Sequence, residues 1–214
     1  KGLDCRYLRV SRKSLYACSF YDADENEFAL TVERAYDKTV GQNLEYIGLK
    51  WEEISPITKE KFPKKQILNS KKKLQLFGLC LRENDADLIK NCSKKNRNLF
   101  LEYLEQENFF EEKSALVDLG WVGSSRCILN YILRRENMES VPMFYWGANN
   151  GLLYGDKNDE LFVFNKQFDL SDKFSCANLF LEQYASMNDE GSVAGYQKVN
   201  NKIYYFKVLY INVL

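Results

Sequence analysis

Residues Ala115 to Arg126 read, in twelve positions, as a short apolar strand, a glycine turn and the start of a helix. No other stretch restricts the fold as much. Ala115, Leu116 and Val117 are small or apolar, as a strand buried on both faces of a parallel sheet requires. Asp118 then falls at the strand's carboxyl end, where open α/β sheets bind their ligands. Gly120 and Gly123 permit positive φ or close backbone approach. Ser124 or Ser125 is expected to cap a helix whose apolar positions are Cys127, Ile128, Tyr131 and Ile132. The unpaired N–H groups in the first turn of such a helix attract an anion.

The 214 residues suffice for one domain with a sizeable core, and a hydrophobic content of 45% without a long polar tract argues against disorder. Lysine plus arginine and aspartate plus glutamate both number 30, so net charge gives no reason to expect nucleic-acid or membrane-surface binding. Between Lys50 and Arg97 bases outnumber acids about two to one, which reads as a solvated helical and loop surface. The 6 cysteines form no C-x-x-C pair and read as reduced core thiols of a cytoplasmic protein. Cys127 is expected to be buried and inert. No apolar run approaches the roughly 18 residues of a membrane span. The chain begins at Lys1, and the expectation is a piece of a longer protein. With 0 histidines, Ser-His-Asp and Cys-His catalysis and HExxH zinc sites are excluded. Magnesium held through oxygen ligands, one carboxylate bridging to a substrate phosphate, is not.

Along the chain, Cys5 to Val10 alternates like a strand, and Ser11 to Ser14 opens a short helix through Leu15 and Cys18. Further helical patterns run through Phe28 to Tyr36 and through Val40 to Ile47, the second with Gly48 as its C-cap. Residues 51 to 73 read as loops and short helices. The type of Lys72 to Leu81 stays open on period alone, whereas Asp85 to Gln106 places its apolar side chains on one helical face. Val141 to Trp146 reads as a second buried strand ending at Gly147. Leu152 to Asp156 with Glu160 to Phe164 reads as a hairpin, 175–185 as a helix, and Ser192 to Val199 with Lys202 to Tyr210 as a hairpin around Asn200-Asn201. The expected fold is α/β, with a short mainly parallel sheet, antiparallel hairpin additions and a large helical insertion after the first strand. It is read as a single domain over 1–214, residues 22–110 forming the helical insertion or cap.

Tyr7-Leu8-Arg9-Val10-Ser11-Arg12-Lys13-Ser14-Leu15 resembles a segment of bacterial proteins that carry a haloacid-dehalogenase-like domain followed by a second domain. Arg97 with Tyr103-Leu104, then Val117 to Ser124, then Glu182 to Tyr196 fit that second domain in the same order. Such proteins accompany glycosyltransferases in surface-polysaccharide synthesis, so the resemblance implies a phosphorylated or nucleotide-linked sugar as ligand and a glycosyltransferase as partner. The dehalogenase-like domain itself is not in this chain, and its phosphatase chemistry is not carried over. Glu190 stands where the late motif commonly has histidine. At the level of fold alone, the Asp118 to Ser125 loop is also similar to the ribose-phosphate loop of phosphoribosyltransferase-like proteins.

The candidate ligand-binding residues are therefore Ser11, Arg12, Asp118, Gly120, Trp121, Gly123, Ser124 and Ser125. The glycines and serines would cradle the anion, and Asp118 would engage a sugar hydroxyl or magnesium. Arg12 would offer a planar fork to phosphate, and Trp121 would stack on the sugar. Arg126 is expected to face solvent. No residue is assigned to catalysis, and whether the chain is an enzyme stays open. A transferase domain is the reaction class that fits. A non-catalytic module docking a polysaccharide-biosynthesis enzyme is the alternative, in which the glycine turn is only structural. Nucleic-acid binding through the lysines of 59–73 lacks a docking motif.

Overall fold

The computed structural model describes residues 7–32, 37–110, 114–121, 123–148, 160–165 and 193–207. The chain divides into two compact units, one formed by residues 1–107 with 192–208 and the other by 108–191 with 209–214. The expected helix over 175–185, the first arm of the 152–156 hairpin and the Glu190 loop lie outside the described residues.

The first unit is organised along one 36-residue helix. Before it come α1 (Arg12–Cys18), α2 (Glu25–Val32), β1 (Lys38–Thr39), α3 (Val40–Tyr46), a single 3-10 turn (Trp51–Glu53), α4 (Pro56–Lys61) and β2 (Ile67–Leu68). The long helix is α5 (Lys71–Gln106). Ser70 starts α5 by accepting a hydrogen bond from the Lys73 N–H, the usual role of a serine at a helix N-cap. Leu74, Phe77, Leu81, Ile89, Phe100 and Leu104 then recur at helical spacing and are buried. The undecided segment at 72–81 is thus the first part of the same helix as 85–106.

Three polar residues interrupt the buried stripe of α5, and each is matched by backbone or hydroxyl groups brought from elsewhere in the unit. Asp85 accepts hydrogen bonds from the Ser55 N–H at 2.6 Å, the Ser55 hydroxyl at 3.2 Å and the Thr58 hydroxyl. Ser93 accepts from the Phe20 N–H at 3.0 Å. Arg97 donates to the carbonyls of Cys18 and Phe20 at 2.9 and 3.3 Å, and its guanidinium lies 3.6 Å from the Tyr21 ring centroid. Burial of such groups is tolerated because their hydrogen-bonding capacity is met. The result is a helix that fixes α1, α4 and the loops beside them by polar as well as apolar contact.

The strand expected before α1 is absent from the described part of that segment. Residues 7–10 form no ladder; the Val10 N–H turns back to the Leu8 carbonyl at 3.0 Å, and both backbone groups of Arg9 are taken by aromatic hydroxyls. The Arg9 N–H donates to the Tyr103 hydroxyl at 2.9 Å, and the Tyr196 hydroxyl donates to the Arg9 carbonyl at 2.8 Å. The expected hairpin at the other end of the unit is present as β6 (Val193–Val199) and β7 (Lys202–Lys207), paired antiparallel. Asn200 and Asn201 have φ of 48° and 61°, the two left-handed positions of a tight hairpin turn.

The second unit holds a βαβ arrangement: β3 (Leu116–Trp121), α6 (Ser124–Arg135), β4 (Met143–Ala148) and β5 (Glu160–Asn165). The strands form a parallel sheet in the order β3-β4-β5. Glu160 to Asn165 therefore continues the parallel sheet rather than closing a local hairpin. Helix α6 buries Ile128, Leu129, Ile132 and Leu133, and Val141, Met143 and Tyr145 of the following segment are buried as well. Asn130 replaces a strand neighbour for Val141, donating to its carbonyl at 3.1 Å and accepting from its N–H at 2.9 Å. With one parallel sheet, two antiparallel pairs and a predominance of helix among the described residues, the fold is mixed α/β.

Candidate functional site

The strand, turn and helix read from Ala115 to Arg126 are all present in the second unit, with shifted boundaries. Strand β3 does not end at Asp118. Its ladder runs on, pairing Asp118 with Tyr145, Gly120 with Gly147 and Trp121 with Ala148. Asp118 is thus a half-buried residue of the strand interior and Gly120 a ladder residue, not a turn residue. Val117 is also not buried on both faces, being 82% exposed; among the described residues β3 pairs with β4 alone.

The turn itself belongs to Gly123. With φ 75° and ψ 15° it is the N-cap of α6 in the left-handed conformation, which an L side chain adopts only at a cost of about 1–2 kcal/mol. Neither serine is the cap. Ser124 and Ser125 are the first two helical residues, so their N–H groups are among those that an α-helix leaves without intrahelical acceptors. The Gly123 residue supplies no side chain to cap them. Its carbonyl accepts the first helical hydrogen bond, from the Cys127 N–H at 3.0 Å. Both serines are half-buried.

Arg126, the third residue of α6, is buried rather than solvent-facing, at 5% exposure. Helical spacing places it with Leu129, Asn130 and Leu133 on the face turned inward, and the sequence signal for this was the apolar residues three and seven positions on. Cys127 is half-buried, and burial pushes its thiol up from the ordinary value, with Arg134 and Arg126 acting in the opposite sense. It is a neutral thiol at physiological pH, which suits packing rather than nucleophilic attack.

Ser11 and Arg12 belong to the first unit. Ser11 is the N-cap of α1, accepting from the Ser14 N–H at 3.2 Å and donating its own hydroxyl proton to the Val193 carbonyl. Its hydroxyl is committed to holding α1 against β6. Arg12 is the first helical residue of α1 and is half-buried.

Among the described residues no group of three or more histidine, cysteine, aspartate or glutamate side chains converges on a point that would hold a metal ion. Asp118 is a single carboxylate, which fits magnesium only as one ligand to an ion that also binds a substrate phosphate. Also among the described residues, no helix is long and apolar enough to cross a membrane. Compared with protein-family models and with curated proteins, the chain matches none.

Proposed function

We propose that the second unit binds the phosphate of a phosphorylated or nucleotide-linked sugar at the Gly123 turn, in the service of bacterial surface-polysaccharide synthesis in the cytoplasm. The observation that carries this reading is the left-handed Gly123 at the junction of a parallel strand and a helix. A helix N-terminus following such a strand presents backbone N–H donors and the positive end of the helix dipole to an anion. Absence of a Cβ at Gly123 lets the phosphate approach the backbone closely.

In this arrangement the N–H groups and hydroxyls of Ser124 and Ser125 hold the phosphate oxygens. Gly120 and Trp121 carry the strand up to the turn, and Trp121 is the stacking surface for the sugar. Asp118 takes a sugar hydroxyl or one position on magnesium. Nothing in this set is a strong general base, so binding and orientation are the functions assigned. A transferase is the reaction class that such a cradle serves, with a partner glycosyltransferase as the source of further catalytic groups.

Isothermal titration with a nucleotide sugar and with a sugar 1-phosphate, each with and without magnesium, tests the reading. Saturable binding that Gly123→Val weakens at least tenfold supports it. Binding that is absent, or equal in the wild type and in Gly123→Val, overturns it.

A second reading is favoured by Val117, an apolar side chain with large exposure on β3, which among the described residues pairs on one side only. Edges of this kind accept a strand from a partner. Under that reading the chain is a non-catalytic module docking a polysaccharide-biosynthesis enzyme. Val117→Lys would then abolish co-purification with the partner while leaving sugar-phosphate titration unchanged.

A further inference from the structure

Tyr46 closes α3, and long side chains on a helix lean back toward its N-terminus. The ring therefore returns alongside Lys38, which immediately precedes the Thr39 cap of that helix. The Lys38 ammonium lies 3.7 Å from the Tyr46 ring centroid. From α1, which packs against α3, the Lys13 ammonium lies 5.9 Å from the same centroid. Lys13, Lys38 and Tyr46 are all half-buried, so their charges are less screened than those of lysines in open solvent.

Electrostatics at the phenol point the same way. Burial raises the Tyr46 pKa, yet the hydrogen bond from Lys38 and the charges of Lys38, Lys13 and Arg12 together bring it below its ordinary value. The Tyr46 hydroxyl thus sits in a local field that favours negative charge. Attraction to the ring faces offsets part of the repulsion between the two ammonium groups. A bound dianion would offset the rest. A phosphomonoester carries a charge of about −1.5 to −2 at neutral pH and several strong acceptor oxygens, which matches two lysine donors and a phenol better than a carboxylate does.

We propose that Lys13, Lys38 and the Tyr46 hydroxyl form a binding site for the phosphate group of a small phosphorylated metabolite, with Arg12 adding a third positive charge. The site lies wholly within the first unit and does not rest on the reading of the Gly123 turn. The lysines donate charge-assisted hydrogen bonds to the phosphate oxygens, and the neutral phenol donates one more. Arg12, singled out from the sequence as an anion-binding residue, takes that role here in company with residues that no local motif connects to it.

The test is an amide NMR titration of the full chain with inorganic phosphate at constant ionic strength, read at Lys13, Lys38 and Tyr46. Saturable shifts at these amides are expected, with an affinity that Lys38→Gln and Lys13→Gln each lower by roughly tenfold, as loss of one charge-assisted hydrogen bond implies. The amides of Ser124 and Ser125 report on the other turn in the same spectra, so failure at one site is distinguished from failure at the other. A second readout is the ultraviolet absorbance change of the Tyr46 phenol on ionisation, taken as the wild type minus Tyr46→Phe. Phosphate is expected to move that ionisation to higher pH by partly cancelling the lysine field. Absence of shifts at the three amides, an equal response to chloride, unchanged affinity in both lysine variants, or a Tyr46 ionisation indifferent to phosphate each overturns the proposal.

Discussion

Tyr196 of β6 lies stacked on Tyr103 of α5, with ring centroids 5.0 Å apart and planes inclined by 24°. The two hydroxyls take opposite ends of one residue, since Tyr103 accepts from the Arg9 N–H and Tyr196 donates to the Arg9 carbonyl. The pair therefore ties three remote pieces of the first unit, the 7–10 segment, the long helix and the terminal hairpin, through a single peptide neighbourhood. Tyr196→Phe keeps the stack and removes the donor to the Arg9 carbonyl. It is expected to lower stability by about 1–2 kcal/mol, measured by urea denaturation of the full chain.

The same pair sets an alkaline limit on stability. Burial pushes the Tyr103 phenol up to about 12 from its ordinary 10.0, and burial raises that of Tyr196 as well. Because these pKa values are raised in the folded state, the protonated phenols contribute fully below pH 10, and the contribution is lost as pH rises toward and through the folded values. Urea titrations at pH 8 and pH 11 should show a loss of stability for the wild type that is smaller for Tyr103→Phe. An equal loss in both proteins would contradict the assignment.

Glu27 of α2 organises the loop before it by collecting three successive backbone donors. Its carboxylate accepts from the N–H groups of Tyr21 at 2.8 Å, Asp22 at 3.2 Å and Ala23 at 2.7 Å. Glu27→Gln keeps the shape but turns an amide donor toward those N–H groups. A loss of about 1.5–3 kcal/mol is expected from the charge-assisted bonds involved, with thermal unfolding as the measurement.

Gly48 ends α3 with φ +80°, and a Cβ there would stand 2.8 Å from the Asn96 amide nitrogen and 3.2 Å from the Ala17 Cβ. Gly48→Ala is expected to cost roughly 1–2 kcal/mol from the left-handed backbone, with a further loss from displacement of Asn96. Asn96→Ala in the same chain should recover the second part only, and a double-mutant cycle separates the two.

Features governed by local chemistry were legible in the sequence. The Gly48 cap, the Asn200-Asn201 hairpin, the short helix after Ser11 and the strand, turn and helix around Gly123 all follow from turn residues and apolar period. Features that depend on distant partners were not. Residues 7–10 alternate like a strand, but the backbone groups of Arg9 at their centre are met by Tyr103 and Tyr196 instead of a neighbouring strand. The inward placement of Asp85 and Arg97 has no local sequence signal, since it depends on Ser55, Thr58, Cys18 and Phe20 for the hydrogen bonds that allow it. Asp118 was placed at a strand end because glycine commonly marks a turn, whereas the partners Gly147 and Ala148 extend the ladder through Gly120 and Trp121. Lys38 and Tyr46 carry no local signature at all, since only the packing of α1 on α3 brings Lys13 to the same ring.

A phosphate bound at the helix start after Gly123 is detected by an amide NMR titration of the full chain with a sugar 1-phosphate. Saturable downfield shifts are expected at the Ser124 and Ser125 amides, and they should disappear in Gly123→Val. Unmoved Ser124 and Ser125 amides at saturating ligand, or shifts that persist unchanged in that variant, would contradict it.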